Sequence, residues 1–252
     1  IPAMTPKGPY LLYEASDSPF PPAELALHEP DGLLAVGGDL SPIRLLNAYA
    51  GGIFPWFSDG QPLLWWSPDP RMVFRTDGVH LSSRFRRALR GSDWRVRADT
   101  AFPEVMQACA QAPRPGQDGT WITDDMLAAY LQLHRLGYAH SVEVYDGDAL
   151  VGGIYGVAIG RMFFGESMFS GRSGGSKIAL AALARTLSGW GWPLIDAQVE
   201  NPHLVRMGAE RLERAPFLAQ VRRLVREPAD VGPWTRGFGE FPASTVAEPA
   251  GV

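Results

Sequence analysis

Three polar residues stand among apolar ones in a way that suggests chemistry. Asp196 and Gln198 lie two apart in Leu194-Ile195-Asp196-Ala197-Gln198-Val199, and Glu166 interrupts the apolar run from Met162 to Phe169. Both segments read as strands, and residues two apart on a strand share a face. Asp196 and Gln198 are therefore expected side by side against a core. A buried carboxylate needs a partner or a task. Structural hydrogen bonding would explain any one of the three; three on neighbouring strands favour a site.

Other chemistries fare less well. The five histidines (His28, His80, His134, His140, His203) show no metal-ligand spacing, and Cys109 is the single cysteine, so neither metal nor cofactor is expected. No Gly-Lys-Ser/Thr phosphate loop and no G-x-G-x-x-G is present. Gly165-Glu166-Ser167-Met168-Phe169 resembles a nucleophile elbow without its closing glycine, which argues against a hydrolase triad on Ser167. Gly171 to Lys177 is a glycine loop leading into a helix, a natural anion cradle. It offers Arg172-x-x-Gly175 and then Lys177 where an acyl-CoA enzyme wants a small residue. A tight strand-to-helix turn explains these glycines equally well. Among the tryptophans, Trp65-Trp66 straddles a strand, sending one ring into the core and the other toward a cleft or solvent. Trp56, in a glycine-rich loop, and Trp121, before a helix cap, suit stacking on a base, with packing as the alternative.

The chain has 252 residues, 23 basic and 27 acidic, for a formal charge of −4. Its composition is that of a folded soluble protein, and one cysteine excludes a disulfide scaffold. The longest charge-free run, Leu45 to Ser58, has fourteen residues against the roughly 20 that a membrane span needs. With no basic-then-apolar signal pattern at the amino terminus, a cytoplasmic protein without membrane association is expected. The mild net charge conceals a polarity. Arg71 to Arg97 carries a balance of +6 and Arg206 to Arg226 one of +4, so an acidic total does not exclude RNA.

The elements that must position these residues follow from caps and periodicity. Ser41-Pro42 starts a helix that Gly51-Gly52 ends. Ser82 caps a short basic helix to about Arg90, Thr100 opens one to about Gln111, and Thr123-Asp124-Asp125 caps a third that ends near Gly137. Residues 140–168 alternate with period two around Asp146-Gly147 and Gly160-Arg161, an antiparallel meander. Leu180, Leu183, Ala184 and Leu187 mark one apolar helix face. A strand from Pro193 to Val199, a short helix from Asn201 and an amphipathic one from Pro216 to Arg226 follow. The fold class is α/β (α+β): a small N-terminal domain over residues 1–70, then a larger domain over 71–252 with a mixed, mainly antiparallel sheet flanked by helices. Its Pro- and Gly-rich tail, from about 228, is expected to drape or fray. The element order resembles the core of the GNAT acyltransferase fold, where two central strands splay apart around an acyl donor.

Seven motifs in order sharpen that likeness. Gly32 to Ser41 (GLLAVGGDLS), Gly52 to Phe57 (GIFPWF), Trp65 to Arg71 (WWSPDPR) and Gly119 to Thr123 (GTWIT) precede Gly152 to Gly156 (GGIYG), Gly165 to Ser170 (GESMFS) and Ile195 to Val199 (IDAQV). Together they resemble the bacterial leucyl/phenylalanyl-tRNA–protein transferase family from about Glu29 to Phe217. The resemblance implies a cytoplasmic aminoacyltransferase of the N-degron pathway of protein degradation. It would move Leu or Phe, with Met a further candidate, from aminoacyl-tRNA to the N-terminal Arg or Lys of a protein, as a monomer and without a cofactor. Asp196 and Gln198 would form the relay that orients and deprotonates the attacking amine. Glu166 would hold the donor's α-amino group or help organise the centre. Trp56 and Trp121 would sandwich the terminal adenine, with Ile154, Phe163, Leu180, Leu183, Leu187, Ile195 and Ser167 around the Leu or Phe side chain. Arg84, Arg86, Arg87 and Arg90 would meet tRNA phosphates. Two other readings stay open: an acyl-CoA-dependent N-acyltransferase on the same fold, and a tRNA-binding module without catalysis. The family commonly shows Asn-Ala-Ser-Lys where this chain has Gly174-Gly175-Ser176-Lys177, a change expected to loosen the start of the helix. It also shows Ser-Leu-Gly-Ala where this chain has Arg206-Met207-Gly208-Ala209, which adds charge near the tRNA face.

Overall fold

The computed structural model describes residues 8–113 and 122–249. A four-stranded sheet comes first: β1 (Tyr10–Leu11), β2 (Leu33–Val36), then helix α1 (Pro42–Ala50), β3 (Phe54–Pro55) and β4 (Leu64–Trp66), in the order β1-β2-β4-β3. Helix α1 starts where the sequence requires, because Ser41 Oγ accepts the Arg44 N–H at 3.4 Å. The chain then changes sheet between Trp66 and Arg71.

The second sheet opens with β5 (Arg71–Arg75), followed by helix α2 (Ser83–Arg90), β6 (Arg95–Ala98), α3 (Phe102–Gln111) and α4 (Asp124–Arg135). The meander is β7 (Ala139–Asp146), β8 (Ala149–Ile159) and β9 (Met162–Ser170), and it leads into α5 (Gly175–Gly189) and β10 (Leu194–Gln198). Elements α6 (Pro202–Arg206), β11 (Glu210–Leu212), α7 (Arg214–Leu224), α8 (Thr235–Phe238) and β12 (Phe241–Pro242) close the chain. The eight strands lie in the order β11-β5-β10-β9-β8-β7-β6-β12. Every neighbouring pair is antiparallel except β9 and β10.

One core spans both sheets. Leu34, Leu45, Tyr49 and Trp65 from the first unit pack in the same cluster as Tyr130, Tyr155, Phe164 and Phe217 from the second. A second cluster holds Leu89 of α2, Ile178 to Leu187 of α5 and Trp234 near the C-terminus.

The segment from 228 does not fray. Trp234 stacks on the His140 ring at 3.9 Å and 4°, and its backbone N–H donates to Asp99 Oδ2 at 2.7 Å. Strand β12 extends the sheet beside β6, and Ala243 and Ala247 are fully buried. Counting prolines and glycines misses the two aromatic anchors, Trp234 and Phe238, whose buried rings outweigh the loop composition. Trp234→Ala is expected to cost about 3–5 kcal/mol of unfolding free energy. Urea denaturation at constant m-value measures it, and a loss under about 1 kcal/mol would show that the segment is not anchored by this ring.

Candidate active site

The three residues that opened the sequence reading meet where the central strands part. Strands β9 and β10 pair only at Ile195↔Phe163 and Asp196↔Phe164. Beyond that point β9 stays with β8 and β10 with β5. Gly165 occupies the fork, where a Cβ would lie 2.9 Å from Asp196 O. Both strands bulge there. Tyr155 pairs with Ser167 and Gly156 with Gly165, so Glu166 is the extra residue on β9. Asp196 pairs with Val73 and Gln198 with Met72, so Ala197 is the extra residue on β10. Bulges re-aim side chains, and here they aim Glu166 and Gln198 at each other: Gln198 Nε2 donates to Glu166 Oε1 at 3.1 Å.

The bulge corrects the expectation that period-two alternation alone would place Asp196 and Gln198 side by side. Gln198 takes φ +61, a left-handed conformation uncommon outside glycine. Asp196 Oδ1 stabilises it by accepting the Gln198 N–H at 2.9 Å, an Asx-type turn. The bulge and this hydrogen bond, not simple alternation, set how the two residues meet.

Asp196 is 1% exposed and bound by an arginine that the sequence reading did not connect to it. Arg71 donates from Nε to Oδ1 at 2.9 Å and from Nη2 to Oδ2 at 2.7 Å, a two-pronged ion pair. Its Nη1 donates to Gly52 O at 2.9 Å, and its guanidinium lies 4.8 Å from the Phe54 ring centroid and 4.6 Å from that of Phe217. Glu166 accepts a hydrogen bond from the Tyr49 hydroxyl, which is also hydrogen-bonded to the Tyr130 hydroxyl. Burial, then the Glu166 carboxyl, drives both phenols far above their ordinary range. Burial also pushes Glu166 up to about 8; Asp196 pushes the same way, while the Tyr49 hydrogen bond, Arg71 and Gln198 oppose it. Tyr49 and Tyr130, 81 residues apart, carry no sequence pattern that ties them to Glu166.

Glu166, Asp196 and Gln198 line a cavity of about 1040 Å³. Its walls include Trp56, which is 44% exposed, and Trp66, whose Nε1 donates to Trp56 O at 2.7 Å; Trp65 is the buried member of its pair. Trp121 lies outside the described residues. Ile154, Leu180, Ile195 and Ser167 reach the cavity, joined by Phe74 and Met168. Phe163, Leu183 and Leu187 do not line it; they are buried in the core behind. Phe163 precedes the fork, where β9 and β10 are still paired. Helix α5 meets the cavity only through Ser176 and Leu180 in its first turns, so Leu183 and Leu187 pass beneath the sheet.

This chain matches the leucyl/phenylalanyl-tRNA protein transferase family over residues 73–222 and the N-terminal domain of that family over residues 38–69. The chain belongs to this family. A relative from Xanthomonas oryzae is 70% identical over 246 residues, covering 97% of this chain and 98% of its own; one from Xanthomonas campestris is 72% identical over 239 residues, 95% and 96%. A relative from Xylella fastidiosa is 66% identical over 232 residues, covering 92% and 96%. All three are called leucyl/phenylalanyl-tRNA–protein transferase.

The departure from the family pattern at Gly174-Gly175 falls on the cap and first residue of α5. Gly174 caps the helix at φ +86, a left-handed conformation that Asn also tolerates. Gly175 packs so close to β8 that a Cβ would lie 2.2 Å from Val151 O. On α2, Arg84 and Arg87 are exposed and form no ion pair among the described residues. Arg86 Nε donates to Ala247 O at 2.8 Å, and Arg90 pairs with Glu248 at 2.6 Å. No helix among the described residues is long and apolar enough to cross a membrane.

Folded Glu166 stays neutral where an unfolded glutamate ionises, so the native chain holds an extra proton between pH 4.5 and about 8. Stability falls with rising pH wherever the native state binds more protons. Glu166→Gln, neutral throughout, is expected to gain Tm relative to the parent chain progressively across that window and to hold a constant gap above it. A gap independent of pH from 5 to 8, measured by scanning calorimetry, would mean that Glu166 is charged in the folded chain.

Proposed function

We propose that the chain transfers Leu or Phe from aminoacyl-tRNA to the α-amino group of proteins that begin with Arg or Lys, acting as a cytoplasmic monomer. The observation that carries this reading is the fork itself: Glu166 and Gln198 facing each other on paired bulges, in a cavity also lined by apolar side chains and exposed Trp56. Family membership supports the same donor class.

The reaction needs little beyond placement. The amine nitrogen bonds to the ester carbonyl carbon, the bond to the ribose oxygen breaks, and the amine's proton ends on that oxygen. Holding the two reactants in attack geometry supplies roughly 7–11 kcal/mol of the barrier. Gln198 spends its amide N–H on Glu166, which leaves its carbonyl oxygen to accept from the incoming amine. Asp196 acts through position: its oxygens hold Arg71 and the Gln198 backbone, so it orients the amide. Glu166, titrating near 8, matches an α-amino group whose ordinary pKa is about 7.7–8.0, and groups so matched pass protons efficiently. Ile154, Leu180, Ile195, Phe74 and Met168 surround the donor side chain, and an apolar pocket accepts both Leu and Phe because it discriminates weakly by size. Trp56 stacks the terminal base, with Trp121 as its counterpart in the resemblance. Arg84 and Arg87 of α2 meet backbone phosphates, which gives affinity without sequence reading.

Purified chain with Phe-tRNA and an Arg-initiated peptide should yield the Phe-Arg peptide, and an Ala-initiated peptide should not react. Absence of product with the Arg peptide under conditions that keep the ester intact overturns the reading. Gln198→Ala should lower kcat about a hundredfold with tRNA affinity kept. Wild-type turnover in this variant would remove the amide from the mechanism. Arg84→Gln with Arg87→Gln should lower the slope of log affinity against log salt by roughly 1.4–1.8; an unaltered slope would place the tRNA elsewhere.

A further inference from the structure

A second pocket, of about 330 Å³, lies between α2 and the cavity. Phe85 of α2 forms one wall, and Ser170, Ser173, Ser176, Lys177 and His203 supply the rest. Ser170, Ser176 and His203 line both spaces, so the pocket joins the arginine helix to the site. Its lining contains hydroxyls, an ammonium and an imidazole, and no carboxylate.

The cations here differ from the other basic residues nearby. Arg211, Arg222 and Arg223 are paired with Glu200, Glu24 and Glu227. Among the described residues, neither Lys177 nor Arg206 has an acidic partner. Lys177 Nζ instead sits 5.2 Å from the Phe85 ring centroid. The uncompensated field is felt by its neighbour: burial first, then Lys177 and Arg206, hold the His203 imidazole below its ordinary pKa.

Resting on the aminoacyl-tRNA reading, we propose that this pocket binds a phosphodiester of the donor's single-stranded 3′ end, between the stem on α2 and the terminal nucleoside in the cavity. Lys177 is the principal contact. It neutralises the phosphate while the serine hydroxyls donate to its oxygens, and Phe85 offers a face to the adjoining base. The site fixes where the strand turns inward.

The test compares two donors. For Lys177→Gln, KM for Phe-tRNA should rise roughly fivefold and the salt slope of tRNA binding fall by about 0.7, one phosphate contact to a single strand. Transfer from phenylalanyl-adenosine, which has no phosphate, should be unchanged, and Lys177→Arg should restore the tRNA values. Unchanged KM and slope with Phe-tRNA overturn the proposal. So does an equal loss with phenylalanyl-adenosine, which would make Lys177 a support of the cavity. Equilibrium binding of uncharged tRNA to the same variants reads the pocket even if no transfer is seen, separating its failure from that of the functional reading. Acetyl-CoA binding that Lys177→Gln abolishes would reassign the pocket to a pyrophosphate and likewise overturn it.

Discussion

The ion pair between Arg71 and Asp196 is the interaction on which the rest depends. Both side chains are essentially inaccessible to water, and burying two charges costs more than their attraction returns unless the geometry is excellent and the remaining donors are satisfied. Here the fork meets both carboxylate oxygens, Nη1 finds Gly52 O, and two aromatic faces flank the guanidinium. The pair ties together four places in the chain: the loop before β3, the first residue of β5, the end of β10 and Phe217 of α7. It also sets the chemistry. With its oxygens engaged, Asp196 defines where Gln198 stands and adds negative potential that helps keep Glu166 protonated.

The sequence made the polar residues of the site visible and left their partners hidden. Asp196, Gln198 and Glu166 announced themselves because they interrupt apolar strands. Arg71 did not: it falls within a run of eight arginines, 125 residues from its partner. The elements were legible wherever a cap sat beside a periodic run, as at Ser41, Ser82 and Thr123, each of which accepts the expected backbone N–H. The bulges were not, because a bulge adds one residue to a pattern that still reads as alternation; its only sequence traces are Gly156 and Gly165, where a Cβ would collide with the neighbouring backbone. Phe163, Leu183 and Leu187 lie in the buried cluster behind the cavity. Apolar periodicity identifies a buried face and cannot say which part of that face borders a cavity.

Charge clustering needs a similar division. The two arginine-rich stretches looked like one kind of surface, yet most of their members already have a partner within the chain. Arg71 and Arg214 are buried, Arg95 and Arg97 share Glu240, and Arg211, Arg222 and Arg223 have carboxylate partners. Arg75 and Arg90 are also paired and Arg86 donates to Ala247 O, which leaves Arg84, Arg87 and Arg226, with Lys177 and Arg206 nearer the cavity. A short track of unspent positive charge remains from an apparent surplus spread over two segments.

The continuous core between the two sheets bears on how substrates come and go. Tyr49 and Trp65 are packed among residues of the larger sheet, and Tyr49 is hydrogen-bonded to Glu166 on the cavity floor. Swinging the small sheet away would expose that shared interior and break the floor. Among the described residues the two sheets share one interior, so parting them like jaws would uncover it. In the proposed reaction donor and acceptor would therefore meet in a cavity whose surroundings both sheets hold in place together.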